Sequence, residues 1–424
     1  MYYSNELSQT NKNISGRRKL MLDKIVIVGN GIAALAAIKA IREVDEDSEI
    51  HLFGEEAFYP YNRVRLSKGL LSILQEDKIL LQKREWYDDN NVNLYVGSKI
   101  VSIDTDKKVV KLFDDGLISY TKLLLAGGSS NNKPSIDGID KSGVYTLRTL
   151  QDAWDIMDGL KTCQTVLIIG GGVQGLETAW VLTQMDIKVI LANNSDRLMR
   201  KQLDDKSSKI LENKVAEKGV KILFNANVSE ILGSDKVEGF KLSSGETYEC
   251  DAVIYSIGTS PNIDLLKGAP INTNRGVIVN ERMETNVEGI YAAGDIAEYN
   301  GNIFGLWNIA IEQGKVAGYN IAGKDTKYKY VPPVTTLNAF NLSLFSMGIV
   351  DESKVTDTLV EENMEENTYK KILIKDKYVK GAIVIGNIRL SPALKSAIEK
   401  KTSLEGIDYK NMPIDDLIQV LKTK

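Results

Sequence analysis

Apolar residues follow two alternating rhythms along the chain. Residues 24–28 (Lys-Ile-Val-Ile-Val) are mostly β-branched and apolar, and after Gly29-Asn30-Gly31 the positions Ala36, Ala37, Ile38 and Ala40 recur at helical spacing. Strand, tight turn and helix are predicted in that order. The rhythm returns at residues 165–169 (Thr-Val-Leu-Ile-Ile), with glycines at 170–172 and an apolar helix over 176–182. Further strands are expected at 50–53, 123–126 and 189–192, and Asp115-Gly116 predicts a hairpin between 109–113 and 118–120. Residues 86–104 read as a helix end followed by short strands, and 220–254 as a small sheet of short alternating segments. A strand ending at Gly294-Asp295 leads to a helix over 308–322. Residues 60–69 read as a polar, basic loop. Beyond Pro332-Pro333 strands at 342–347, 371–374 and 382–385 outnumber helices. Ile414, Leu417, Ile418 and Leu421 after Pro413 form a short amphipathic helix, read as core or interface rather than a membrane contact.

The two strand–turn–helix units carry the candidate chemistry. In the first, Gly29 lets the chain reverse and Gly31 lets the backbone approach a pyrophosphate. Ala34 keeps the helix close to the strand, and the free N–H groups and dipole of the helix start hold negative charge. Gly29, Asn30, Gly31, Ile32, Ala33 and Ala34 are therefore the candidate phosphate cradle. Glu55 and Glu56 are the candidates for ribose hydroxyls, at a spacing longer than the usual roughly 20 residues. The second unit is a complete G-x-G-x-x-G, with Gly170, Gly172, Val173, Gln174 and Gly175 as its cradle. Its expected carboxylate is replaced by Asn193-Asn194-Ser195, so the ribose contact falls to an amide, with Asn193 the candidate. The choice between NADH and NADPH stays open, and Arg197 and Arg200 read as surface residues rather than partners of a 2′-phosphate. One fingerprint alone is weak; two in context predict two nucleotides brought together, FAD and NAD(P). Ala126-Gly127-Gly128 and Gly258 end strands where backbone approaches a ligand or merely turns. Asp295 either bonds a sugar-like chain or caps the next segment.

Composition narrows the field. A length of 424 residues allows two or three domains. A net charge of −4 with scattered basic residues gives no field for nucleic acid. No uninterrupted apolar run of about 18 residues occurs, so no membrane span is expected. Residues 1–20 are polar and lack a signal-peptide core, so a disordered extension and a cytoplasmic setting are expected. Cys163 and Cys250 are far apart in sequence and His51 is the single histidine, so no zinc or iron–sulfur site and no local dithiol can be assembled. Both cysteines and His51 read as structural.

The order of motifs resembles the two-dinucleotide-domain flavoprotein reductases. The nearest likeness is to clostridial NADH:rubredoxin oxidoreductases and the N-terminal flavoprotein part of the nitrite reductase large subunit. It rests on Tyr-Asn-Arg-Val-Arg-Leu-Ser-Lys (61–68), Arg-Leu-Met-Arg-Lys-Gln-Leu-Asp (197–204), Met-Glu-Thr-Asn (283–286), Ile-Tyr-Ala-Ala-Gly-Asp (290–295) and Leu-Trp-Asn-Ile-Ala (306–310). The resemblance implies an α/β fold with two Rossmann-like domains of the glutathione-reductase type and a C-terminal α+β domain. The implied division is an extension over 1–21, an FAD domain over 22–148 and 266–327, an NAD(P) domain over 149–265, and an interface domain over 328–424.

It further implies that FAD lies on the first unit, with Glu56 as the ribose acid, Asp295 at the ribityl chain, and Gly294, Leu306 and Trp307 around the flavin. Arg63, Lys68 and Ile100 join that set. Lys68 and Glu177 are implied to pair beside the flavin ring, where a lysine favours the electron-rich reduced form and the carboxylate keeps it charged and oriented. NAD(P)H, with NADH favoured, passes hydride to the flavin. Electrons then go to a small carrier of the rubredoxin or ferredoxin type. A subunit role in a larger reductase, an NADH oxidase or diaphorase, and a flavin-holding module without turnover are the alternatives; self-association is left open. Two departures stand out: Ala126-Gly127-Gly128 replaces the usual Ala-Thr-Gly, and no cysteine lies in 60–68 to reduce disulfides or peroxide.

Overall fold

The computed structural model describes residues 22–70, 74–363 and 365–424. The expected N-terminal extension lies outside them. Two five-stranded parallel sheets repeat one plan. The first runs, in spatial order, Ile290–Ala292, Lys122–Leu125, Lys24–Val28, Glu49–Phe53, Val92–Tyr95. The second runs Lys221–Leu223, Lys188–Ala192, Thr165–Ile169, Ala252–Tyr255, Val144–Thr146. Their central strands are buried on both faces, which is why they read as continuous apolar runs rather than alternating ones. The first sheet is discontinuous in sequence, because Ile290–Ala292 returns to pair with Lys122–Leu125.

Three details differ from expectation. Within 220–254, Val228–Leu232, Gly239–Leu242 and Thr247–Glu249 form an antiparallel sheet, but Lys221–Leu223 and Ala252–Tyr255 extend the parallel one. Val144–Thr146 pairs with Ala252–Tyr255, although the expected division groups it with the first unit. Residues 63–69 are not a loop but a 3-10 turn, Arg63–Arg65, running into a short helix, Leu66–Gly69. The Asn62 side chain accepts from the Val64 N–H and starts this turn, a local bond that a reading of polarity alone overlooks.

The last unit is a five-stranded antiparallel sheet in the order Val334–Ala339, Leu342–Gly348, Tyr378–Ile385, Thr368–Lys375, Asp357–Asn363. Its strands alternate between two cores. Leu342, Leu344, Tyr369, Ile383 and Ile385 face the helix Val173–Thr183 and its surroundings, while Phe345, Met347, Ile372, Ala382 and Val384 face the unit's own helices, Ser391–Lys400 and Ile414–Thr423. The tail helix buries Ile414, Leu417, Ile418 and Leu421, as its amphipathic spacing predicts. Among the described residues no helix is long and apolar enough to cross a membrane.

Candidate active site

Both glycine turns are built alike. Gly29 and Gly170 adopt positive φ, +100° and +117°, and a Cβ on either would lie 2.3 and 2.2 Å from the carbonyl oxygens of Ala126 and Ser256. Only glycine fits there. By contrast, a Cβ on Gly31 or Gly172 would meet nothing within 4 Å. Each of these glycines starts a helix, Ile32–Arg42 or Val173–Thr183, without a side-chain cap and without an acidic residue in the first turn. Two uncapped helix starts facing open space suit two phosphate groups, and this arrangement fits FAD and NAD(P).

Around the first turn, Asn30 is buried and its Nδ2 donates to the Phe58 carbonyl (3.2 Å). Ile32 is half-buried, whereas Ala33 and Ala34 are buried against the strand. The helix Trp307–Ile321 lies directly on Ile32–Arg42: a Cβ on Gly314 would sit 2.2 Å from the Ala33 oxygen and one on Gly318 2.3 Å from the Ala37 oxygen. Leu306 and Trp307, both half-buried, stand at the start of that helix. Gly294 is pinned to the same junction. Its N–H donates to Gln313 Oε1 (2.9 Å), and its Cβ position lies 3.0 Å from the Ala33 Cβ.

Asp295 follows in a 3-10 turn, Gly294–Ile296, and its Oδ2 accepts from the Ser129 hydroxyl (2.9 Å) and from Arg148 Nη2 (3.0 Å). Arg148 also donates from Nε to the Ser129 carbonyl (2.9 Å). Its own carbonyl accepts from Arg63 Nη1 (3.0 Å). Arg63 further pairs with Glu56, whose other oxygen accepts from the Tyr61 hydroxyl (2.7 Å). Burial by itself would lower the Arg63 pKa, but Tyr61, Glu56 and Asp295 outweigh it and leave the pKa raised. Glu55 instead pairs at the surface with Lys99 (2.7 Å). Ile100 is buried at the start of the strand Ile100–Asp104. The Gly127 carbonyl accepts from Asn262 Nδ2 (2.8 Å), the Gly258 carbonyl accepts from the Asn132 N–H (2.9 Å), and Ala126 is buried.

Lys68 and Glu177 meet across the two units. Lys68 Nζ lies 3.6 Å from Glu177 Oε1, and the Ser67 hydroxyl donates to Oε2 (2.7 Å). Helix Leu66–Gly69 supplies Ser67 and Lys68 and helix Val173–Thr183 supplies Glu177, so the pair exists only because these helices touch. Lys68 is about half exposed while Glu177 is largely covered, leaving the ammonium as the reachable end. In the second turn, the Gln174 amide donates to the Leu147 carbonyl and its Oε1 accepts from the Ser256 hydroxyl (3.1 Å), while Gly175 must be glycine to clear the Gly170 oxygen. Val173 is half-buried at the helix start.

The candidate ribose amide, Asn193, is tied into its own loop through Nδ2. Asn193 is buried and its Nδ2, with two N–H groups to donate, lies within hydrogen-bond distance of the Ser195 carbonyl (3.2 Å), the Ser195 hydroxyl (3.0 Å) and the Arg197 carbonyl (3.0 Å). That Nδ2 group shapes the 193–197 loop, because three acceptors lie within four residues of it. Arg197 pairs with Asp205, and Arg200 lies 3.7 Å from Asp196. Three contributors escaped the sequence reading: Arg148, Ser129 and Ser67. Ser67 sits inside the 61–68 motif, and Arg148 directly precedes the capping Thr149; neither position marks a partner more than a hundred residues away in sequence.

The thiols stand apart. Both cysteines are free; burial, then Asp251, raises the pKa of Cys163, and burial pushes Cys250 up to about 12. Among the described residues no cluster of three or more metal-ligating side chains occurs.

Residues 23–314 match the pyridine nucleotide-disulphide oxidoreductase family. The chain belongs to that family. Residues 333–402 match the rubredoxin NAD+ reductase C-terminal domain. The chain is 32% identical to the assimilatory nitrate reductase electron transfer subunit of Bacillus subtilis, over 93% of this chain and 53% of that protein. It is 33% identical to the nitrite reductase [NAD(P)H] of the same organism, over 90% of this chain and 48% of that protein. The chain thus spans about half the length of these two relatives. It is also 32% identical to the NADH-rubredoxin oxidoreductase of Clostridium acetobutylicum, over 93% of this chain and 99% of that protein. The crystal structure of NADH:rubredoxin oxidoreductase from that organism superposes with a TM-score of 0.76 at 29% identity, covering 94% of this chain and 99% of that chain. The family and the two-sheet fold are those that the motifs imply.

Proposed function

We propose that this chain is an FAD-dependent NAD(P)H oxidoreductase that passes hydride from NAD(P)H to flavin and electrons onward to a small redox carrier of the rubredoxin or ferredoxin type. The observation that carries the reading is the pair of uncapped, open glycine turns, with the Lys68–Glu177 pair on the helix that follows the second. The flavin, when bound, supplies acceptance of hydride and its onward release as electrons.

The chain's own residues do the rest. The N–H groups at Gly31–Ala33 and Gly172–Gln174 hold phosphate oxygens at the positive ends of two helices. Arg148 and Ser129 hold Asp295 at a fixed orientation through Oδ2, so that Oδ1, which accepts no hydrogen bond among the described residues, would be the oxygen offered to a polyol chain. Glu177, anchored by Ser67, holds the Lys68 ammonium where negative charge develops. The thiols contribute no step, since both are less acidic than a free cysteine and a thiolate is the reactive form. NADH as the nucleotide and the cytoplasm as the setting belong to the same proposal, the second to be checked by cell fractionation.

Anaerobic titration with NADH and then NADPH tests the reading: the yellow flavin should bleach rapidly and recover when oxidised carrier is added. A flavin that neither nucleotide reduces would refute it. The coverage of only about half of the two Bacillus relatives favours a second reading, an electron-transfer module of a larger reductase. Co-purification of a partner chain from the native source, with no rate on free carriers, would select it.

A further inference from the structure

The second glycine turn rests on a segment that the C-terminal sheet grips. A Cβ on Gly171 would lie 2.8 Å from Leu198 Cδ2, and the Met199 N–H donates to the Gly171 carbonyl (3.4 Å), so residues 198–199 form the floor of the turn. The same segment ends at Asp204, whose Oδ1 caps the helix Asp205–Glu217 through the Ser207 N–H (2.9 Å). Its other oxygen is turned to the C-terminal sheet. Asp204 Oδ2 accepts from the Tyr369 hydroxyl (2.7 Å) and from the Lys371 ammonium. Next to them the Ser346 hydroxyl donates to the Gln202 carbonyl (2.6 Å).

Ser346, Tyr369 and Lys371 share the strand face that covers the second unit, where the neighbouring side chains are Leu344, Ile383 and Ile385. A lysine 3% exposed on such a face is held only by partners. Burial by itself would lower its pKa, but Asp204 and Glu352 outweigh that and leave it raised, so the ammonium stays charged. Removing it would take the cationic partner from Asp204 and leave that carboxylate on the Ser207 and Tyr369 bonds alone, and Asp204 is the end of the segment that floors the nucleotide turn.

We infer that Tyr369 and Lys371 are positioning residues for the pyridine nucleotide. Acting through Asp204, they hold the 198–204 segment against Gly171 and set the second phosphate cradle. The inference rests on the reading that this turn takes NAD(P)H. It gives the C-terminal unit a part in nucleotide affinity that its distance in sequence from the fingerprint would not suggest.

The test uses the flavin-loaded full chain. In anaerobic stopped-flow mixing, the NADH concentration dependence of bleaching yields a Kd and a limiting rate for wild type, Lys371→Met, Lys371→Arg and Tyr369→Phe. Lys371→Met should raise the Kd about tenfold with the limiting rate and FAD content unchanged. Lys371→Arg should restore most of the affinity, and Tyr369→Phe should fall between. Hydrogen–deuterium exchange without nucleotide should quicken over residues 197–204 in Lys371→Met. A Kd within about twofold of wild type, or loss of FAD together with NADH affinity, would overturn the inference. If Lys371→Met does not fold, Tyr369→Phe carries the same two readouts. A wild-type protein that NADH fails to bleach would instead defeat the functional reading beneath it.

Discussion

Gly314→Ala is the sharpest perturbation the fold offers, because two effects of opposite sign compete at one atom. In an exposed helix the change would stabilise by about 1 kcal/mol through backbone entropy. Here the new methyl would lie 2.2 Å from the Ala33 oxygen and 2.9 Å from its carbonyl carbon, both backbone atoms that cannot rotate away. Restoring an ordinary contact requires the two helices to part by about 1 Å, and interiors packed at crystal-like density transmit such a shift. The cost of overpacking is about 1–3 kcal/mol. It is compounded because Gly318 makes the same backbone contact one turn on. The clash wins.

The displaced helix carries Leu306 and Trp307 at its start, and Gln313 on it fixes Gly294 beside Asp295. Parting the helices therefore opens the cradle proposed for FAD. The expected result is FAD affinity weakened about tenfold, equivalent to roughly 1.4 kcal/mol. It is read by fluorescence titration of apoprotein with FAD, with melting temperature as a second measure. Glu312→Ala, on the exposed side of the same helix, should change stability by less than about 0.5 kcal/mol. A Gly314→Ala protein that melts no lower than wild type and binds FAD as tightly would show that the two helices do not set the cradle.

Other outcomes follow from the site. Lys68→Met should slow flavin bleaching by NADH about tenfold, a figure kept modest because the lysine is about half exposed; an unchanged stopped-flow rate would remove Lys68 from the reaction. The Cys163→Ser, Cys250→Ala double variant should bleach and pass electrons to carrier within about twofold of wild type, since neither thiol is activated; loss of turnover would point to a sulfur step. Asp204 governs acid behaviour at the junction. Burial alone would raise its pKa, but the bonds from Lys371, Ser207 and Tyr369 outweigh it and leave it lowered. Its stabilisation is therefore full above the unfolded value near about pH 4 and is lost as pH falls through the lower native value. Asp204→Asn should flatten the decline of melting temperature across that acid range, and parallel profiles for the two proteins would contradict the assignment.

Local chemistry wrote much of this protein into its sequence. Apolar runs of the type at Lys24–Val28 and Thr165–Ile169 specify strands buried on both faces, and a glycine followed by a helix start specifies a cradle, because both depend on neighbours within a few residues. The absence of a thiol pair near Lys68 was equally plain. Tertiary structure alone decided which groups meet. Nothing in Leu147-Arg148-Thr149 shows that the guanidinium will hold Asp295, 147 positions away. Asn193 reads as an amide offered to a ribose, and only the fold shows that the turn at 195–197 brings three acceptors to its Nδ2. Lys371 reads as an ordinary charge in a strand until the sheet's alternation turns it inward onto Asp204. Periodicity reports the environment a residue needs, averaged along one element; a hydrogen bond between elements depends on how two surfaces are rotated and pressed together, and only the folded packing sets that.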